Sequence, residues 1–155
     1  MTKILDVCCG SKMFWFDRNH KDVTFCDIRS ENHILCDGRK LEIAPDVIAD
    51  FRDLPFEDRS FSLVVFDPPH MISLGEKSWM AKKYGMLSKQ TWREDLKQGF
   101  AECFRVLKTD GVLIFKWSES QILLKDILKL TDQEPLFGHP SGKAQKTHWV
   151  TFMKK

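Results

Sequence analysis

A chain of 155 residues buries one substantial core and is too short for two ordinary domains, so a single domain over residues 1–155 is expected. The formal charge is only +2, no apolar run approaches the length of a membrane span, and no signal-peptide pattern is present, so a cytoplasmic protein with no membrane partner is expected. The five cysteines, Cys8, Cys9, Cys26, Cys36 and Cys103, are odd in number and lack paired spacing, which reads as reduced thiols. His33 and Cys36 have a spacing that a metal uses, but no second pair completes a four-ligand set, so no metal is expected.

In chain order, Lys3–Cys8 is an apolar run stopped by Cys9-Gly10-Ser11 and reads as a buried strand followed by a turn. Val23–Ile28 and Asp46–Ala49 are the next two strands, Phe61–Phe66 the fourth and Gly111–Trp117 the fifth. Near-continuous apolar runs of this kind belong to parallel sheets covered on both faces. The early crossovers are short: Met13–His20 allows two turns of helix at most. Thr91–Leu107 has helical periodicity, with Trp92, Leu96, Phe100, Cys103, Phe104 and Leu107 on one face, and Ser118–Leu130 reads as a second helix. Glu134–Gly138 and Thr147–Met153 read as a closing antiparallel hairpin. Phe14, Trp15 and Phe16 read as core. The long stretch Met71–Gln90 has no regular pattern, and loops of such length inside compact domains are functional or mobile; it is read as a mobile substrate loop.

Open parallel sheets bind ligands beyond the carboxyl ends of their strands. Those ends carry Cys9-Gly10-Ser11, Asp27, Asp50 and Asp67 in turn. Three successive strand-end acids suit a ligand rich in hydroxyls and amines, and no phosphate-cradling loop is present. The fourth acid opens the turn Asp67-Pro68-Pro69-His70, where proline restricts both itself and the residue before it.

On these residues the chain resembles the class I S-adenosylmethionine-dependent methyltransferases. Asp6-Val7-Cys8-Cys9-Gly10-Ser11-Lys12 resembles their first motif, with Cys8 and Lys12 standing where two of three glycines are usual. Asp27, followed by Ile28, resembles the acid that grips the cofactor ribose. Ala49-Asp50-Phe51 through Phe56 resembles the adenine-holding stretch, Phe61–Asp67 the fourth strand and its catalytic end, and Asp110-Gly111-Val112-Leu113 the turn before strand five. The resemblance implies a Rossmann-like α/β fold: a mostly parallel twisted sheet, an antiparallel C-terminal strand, helices on both faces and shortened early crossovers. It implies S-adenosylmethionine as cofactor, held by Asp6, Cys8, Gly10, Lys12, Asp27, Ile28, Asp50, Phe51 and Asp67.

Asp-Pro-Pro followed by a flat ring resembles the signature of amino-methyltransferases acting on planar nitrogens, above all N6 of adenine. It implies catalytic roles for Asp67, Pro68, Pro69 and His70, with the carboxylate and the Pro68 carbonyl accepting hydrogen bonds from the amine. His70 stands where Tyr, Phe or Trp is usual. Lys77, Lys82, Lys83 and Lys89 are interleaved with Trp79 and Tyr84, and Lys143 and Lys146 lie in the hairpin loop. Cations among rings suit a nucleic-acid strand, so His70, Trp79, Lys82, Lys83, Tyr84, Lys143 and Lys146 are the candidate substrate contacts, with DNA ahead of RNA. The basic run His139–Lys155, without an acid, is also met in solvated tails. The alternatives are a methyltransferase for a small molecule or protein side chain, or a non-catalytic cofactor-binding module; a monomer and a homodimer both remain open.

Overall fold

A computed structural model describes residues 2–73 and 85–155. The strands are β1 (Ile4–Asp6), β2 (Val23–Asp27), β3 (Glu31–Ile34), β4 (Lys40–Ile43), β5 (Val47–Ile48), β6 (Phe61–Phe66), β7 (Leu107–Ser118), β8 (Phe137–Ser141) and β9 (Thr147–Met153). The described helices are α1 (Trp92–Val106) and α2 (Leu124–Leu128). Seven strands form one sheet in the order β5-β2-β1-β6-β7-β9-β8; β3 and β4 pair as a separate hairpin. Pairing is parallel from β5 through β7 and antiparallel where β9 joins β7 and β8. The expected mostly parallel sheet with a reversed closing strand is therefore present.

The strands are apolar on both faces, but the two faces are covered differently. Leu5, Cys26, Val64, Phe66, Leu113, Phe115, Trp117, Val150 and Phe152 form one large core with Leu96, Phe100, Cys103 and Phe104 of α1 and Ile127 of α2. Alternation along each strand sends Ile4, Asp6, Val23 and Phe25 to the other face. There Cys9 and Trp15 pack on Val23 and Phe25. Among the described residues helices cover one face and an irregular segment, Cys9–Asp22, covers part of the other, because this crossover is too short and turn-rich for a helix. Of the three adjacent aromatics read as core, Trp15 is partly buried against the Val23 and Phe25 cluster, Phe14 is half-buried at the edge of a cavity, and the Phe16 ring is fully exposed.

Helix α1 keeps its acids Glu94 and Asp95 in the first turn and Arg105 in the last, as the helix dipole favours. Arg105 then reaches back across the sheet end. Its guanidinium donates to the carbonyls of Leu54 and Phe56, while Glu102 accepts from the Leu54 amide, so α1 fixes the loop that follows β5. The second helix is much shorter than Ser118–Leu130 suggests. Ser118 closes β7, the Trp117 indole donates to the Ile122 carbonyl, and the Glu119 carboxylate accepts from the Leu124 amide, so helix begins only there. No described helix is long and apolar enough to cross a membrane.

Candidate active site

The carboxyl ends of β1, β2, β5 and β6 open into one cavity of about 790 Å³, within the range typical of small-ligand sites. Its first wall is the turn after β1. Gly10 (φ 52°) lets the chain turn back so that its amide donates to Asp27 Oδ2 at 2.9 Å, joining the first turn to the end of β2. Lys12 holds a left-handed conformation as well, at φ 60°, which explains why glycine is usual there. The lysine side chain, however, leaves the cavity: Nζ donates to the Arg18 carbonyl at 3.3 Å and lies 4.3 Å from the centre of the Phe25 ring.

Asp6 does not line the cavity either. It is fully buried on the opposite face, where Oδ2 accepts the Trp15 indole at 2.7 Å and Oδ1 has no hydrogen-bond partner among the described residues. Burial pushes its carboxyl up to about 7; the Trp15 hydrogen bond opposes that rise, and the charges of Asp67 and Asp27 add to it. Asp6 thus ties the segment that follows the Gly10 turn to β1, through Trp15. Cys8 does line the cavity, and burial with the nearby Asp27 and Asp6 charges pushes its thiol well above the ordinary range, so it presents neutral sulfur.

The second wall is the end of β2. Asp27 accepts from the Arg29 amide at 2.9 Å and from Arg29 Nε at 3.4 Å, besides Gly10. Ile28 beside it is exposed toward the cavity. The third wall is Asp50-Phe51. Asp50 is gripped by Arg52 through the backbone amide, Nε and Nη2, and this hydrogen bonding holds its carboxyl below the usual range. Arg52 also reaches Asp95 of α1 at 3.2 Å. Phe51 meets Phe66 edge-to-face, and both rings press on Gly99, where an added Cβ would come within 2.8 Å of each. Glycine at that point in α1 lets Phe51 sit at the cavity edge.

The fourth wall is Asp67-Pro68-Pro69-His70, all four lining the cavity. His70 Nε2 lies 2.9 Å from Asp67 Oδ1, and Lys116 Nζ lies 3.8 Å from Oδ2. The Lys116 ammonium also stands over Phe14 and Trp149. The chain beyond the turn is anchored: the amides of Ile72 and Ser73 donate to Gln121 Oε1, and the Leu87 amide donates to the Met71 carbonyl.

The structure thus gathers Cys8, Gly10, Asp27, Ile28, Asp50, Phe51, Asp67, Pro68, Pro69 and His70 around one cavity, and leaves the side chains of Asp6 and Lys12 outside it. Trp79, Lys82, Lys83 and Tyr84 lie outside the described residues. Lys143 and Lys146 sit on the exposed β8–β9 turn; neither lines the cavity, although Thr147, next in the chain, does. Arg29, Arg52 and Lys116 are cavity residues that sequence reasoning did not single out. Strand-end acids call for such partners, but which cation meets which acid depends on register.

No protein-family model matches the sequence, and no curated protein matches it in sequence. Solved structures do resemble it. The PH0226 protein of Pyrococcus horikoshii OT3 superposes with a TM-score of 0.63 at 17% identity, over 99% of this chain and 82% of that one. A TehB-like SAM-dependent methyltransferase from Corynebacterium glutamicum gives 0.62 at 18% identity, over 99% and 80%. The 1,6-didemethyltoxoflavin-N1-methyltransferase of Burkholderia thailandensis, solved with 1,6-didemethyltoxoflavin and S-adenosylhomocysteine, gives 0.56 at 13%, over 98% and 70%. With the sheet order and the reversed closing strand, these likenesses establish that the chain has the class I S-adenosylmethionine-dependent methyltransferase fold.

Proposed function

We propose that the protein is an S-adenosylmethionine-dependent methyltransferase acting on an amine nitrogen conjugated to a ring, with N6 of adenine in nucleic acid as the first substrate to test and DNA ahead of RNA. The observation that carries this reading is the rigid Asp67-Pro68-Pro69 turn that forms one wall of a cavity whose other walls are the glycine turn and two strand-end acids. The donor and acceptor set suits the cofactor. Asp27 retains one unused lone pair, on Oδ2, for a ribose hydroxyl, Ile28 and Phe51 offer apolar surface for a base, and the neutral Cys8 and Gly10 permit close approach. When bound, S-adenosylmethionine supplies an electrophilic methyl group.

The protein's own contribution is placement. A ring-conjugated amine is a weak nucleophile because its lone pair is delocalised. Hydrogen bonds from the NH2 group to Asp67 and to the Pro68 carbonyl localise that pair, and alignment with the methyl group supplies much of the rate. A base within a duplex would have to leave its stack to reach such a cavity, so single-stranded or distorted nucleic acid is the preferred form.

A small-molecule amine is the second reading. It is favoured by His70, whose ring turns its Nε2 edge to Asp67 and tilts 54° against Trp117, instead of standing as an open stacking face. The Burkholderia neighbour, by name, methylates N1 of a small heterocycle.

Calorimetry with S-adenosylhomocysteine tests the cofactor assignment: the wild type binds, and Asp27→Ala weakens binding at least tenfold. Unchanged affinity in the variant removes Asp27 from the ribose role. The salt dependence of turnover separates the substrate classes, falling steeply with ionic strength for nucleic acid and little for a neutral small molecule.

A further inference from the structure

One oxygen of the Asp67 carboxylate is hydrogen-bonded, and the other keeps its capacity to accept from an amine. Oδ1 meets His70 Nε2 at 2.9 Å, and Oδ2 faces Lys116 Nζ at 3.8 Å. A carboxylate beside Nε2 selects the imidazole tautomer that carries its proton on Nε2, which leaves the lone pair on Nδ1. Nδ1 has no hydrogen bond among the described residues, and His70 is a cavity residue with its side chain 18% exposed. The ring is held at its place by Trp117, 5.0 Å away, and by the anchors that Gln121 makes to the amides of residues 72 and 73. An imidazole oriented by a carboxylate and open at its other nitrogen is a proton acceptor, whereas a stacking platform needs neither the partner nor the open nitrogen.

We propose that His70 accepts the proton released in methyl transfer, with Asp67 as its positioning residue. The inference rests on the methyltransferase reading and deepens it by naming the nucleophile class: a nitrogen that loses an N–H proton as it gains carbon. The nitrogen lone pair forms the bond to the methyl carbon, the electron pair of the broken C–S bond stays on sulfur, and one N–H proton, leaving its hydrogen bond to the Pro68 carbonyl as the nitrogen becomes cationic, passes to Nδ1. The product is a neutral methylamine, and the imidazolium donates Nε2–H to Asp67 until water takes the Nδ1 proton. The other charged groups around the cavity are Lys116 on β7, Asp27 and Arg29 beyond β2, and Asp50, Arg52 and Asp95 on the opposite wall.

The test joins a structural readout to a kinetic one. Imidazole 15N shifts of the cofactor-free protein report the tautomer of His70: the Nε2–H form is expected in the wild type, and a mixed population in Asp67→Asn. His70→Phe keeps a flat ring and removes the acceptor. It is expected to bind S-adenosylhomocysteine within twofold of the wild type and to lose about a hundredfold in kcat. A wild-type Nδ1–H tautomer, or a His70→Phe variant within threefold of wild-type kcat, overturns the proposal and leaves the methyltransferase reading standing. If the wild type binds the cofactor but methylates no nitrogen nucleophile, the functional reading fails and the proton-acceptor role fails with it, whatever the tautomer.

Discussion

The two faces of the sheet do different work. Under α1 and α2 lies a continuous core in which Leu96, Phe100, Phe115, Trp117 and Phe152 are almost wholly buried. On the other face a short irregular segment rests on Val23 and Phe25, and its polar ties include the Trp15 indole on the buried Asp6 carboxyl. The first face secures the fold with ordinary apolar packing. The second spends its few contacts on shaping the turn at Gly10, and so on shaping the cavity.

Substitutions break this comparison in a graded way. Phe100→Ala, on the helix-covered face, is expected to cost about 3–5 kcal/mol in denaturant unfolding. A loss below about 1 kcal/mol would mean that this core is not the main support. The next effect belongs to Asp6 and depends on pH. Its carboxyl is raised to about 7 in the folded state, so the folded protein holds this proton more tightly than the unfolded chain does. The stability it contributes is complete below about pH 4 and is lost as pH rises through about 7, by on the order of 4 kcal/mol. Asp6→Asn cannot titrate, so its stability relative to wild type should improve over that window; parallel curves would show that Asp6 is not protonated on folding.

Trp15→Phe removes the donor to Asp6 while keeping a ring on Phe25, and should cost about 1–3 kcal/mol through the unpaired carboxyl. It should also weaken S-adenosylhomocysteine binding in calorimetry, whereas Phe100→Ala should leave affinity unchanged in whatever fraction stays folded. Smallest of all is Phe16→Ser, one position along the same segment: its ring is exposed, so a change within about 0.5 kcal/mol is expected. A larger loss would show that Phe16 is covered in solution.

The mostly parallel sheet, the reversed closing strand and the strand-end residues of the cavity were legible in the sequence because buried parallel strands read as apolar runs and their ends as acids. The β3–β4 hairpin was not read, although Asp37-Gly38 between Ile34 and Lys40 is a turn signal and Gly38 adopts φ 85°. The second helix was read too long because Ile122 and Leu123 continue an apolar pattern that Glu119 and Trp117 cut short by hydrogen bonding. Lys116 shows why pairings escape sequence. It looks like one alternating polar residue in β7, and only the parallel register, with Phe66 beside Phe115, brings it next to Asp67. Lys12 shows the converse: its glycine-like φ was legible as a motif position, but its side chain turns to Phe25 and Arg18, away from the cavity.

The central claim is transfer of a methyl group to an amine held by Asp67. Its most direct test is incubation of the protein with methyl-labelled S-adenosylmethionine and, in parallel, single-stranded DNA, RNA and a small-molecule extract, followed by identification of the labelled product. An N-methylated ring amine, N6-methyladenine first among them, formed by the wild type and lost in Asp67→Ala, is the expected result. Label on oxygen, sulfur or carbon, or undiminished N-methylation by Asp67→Ala, would contradict it.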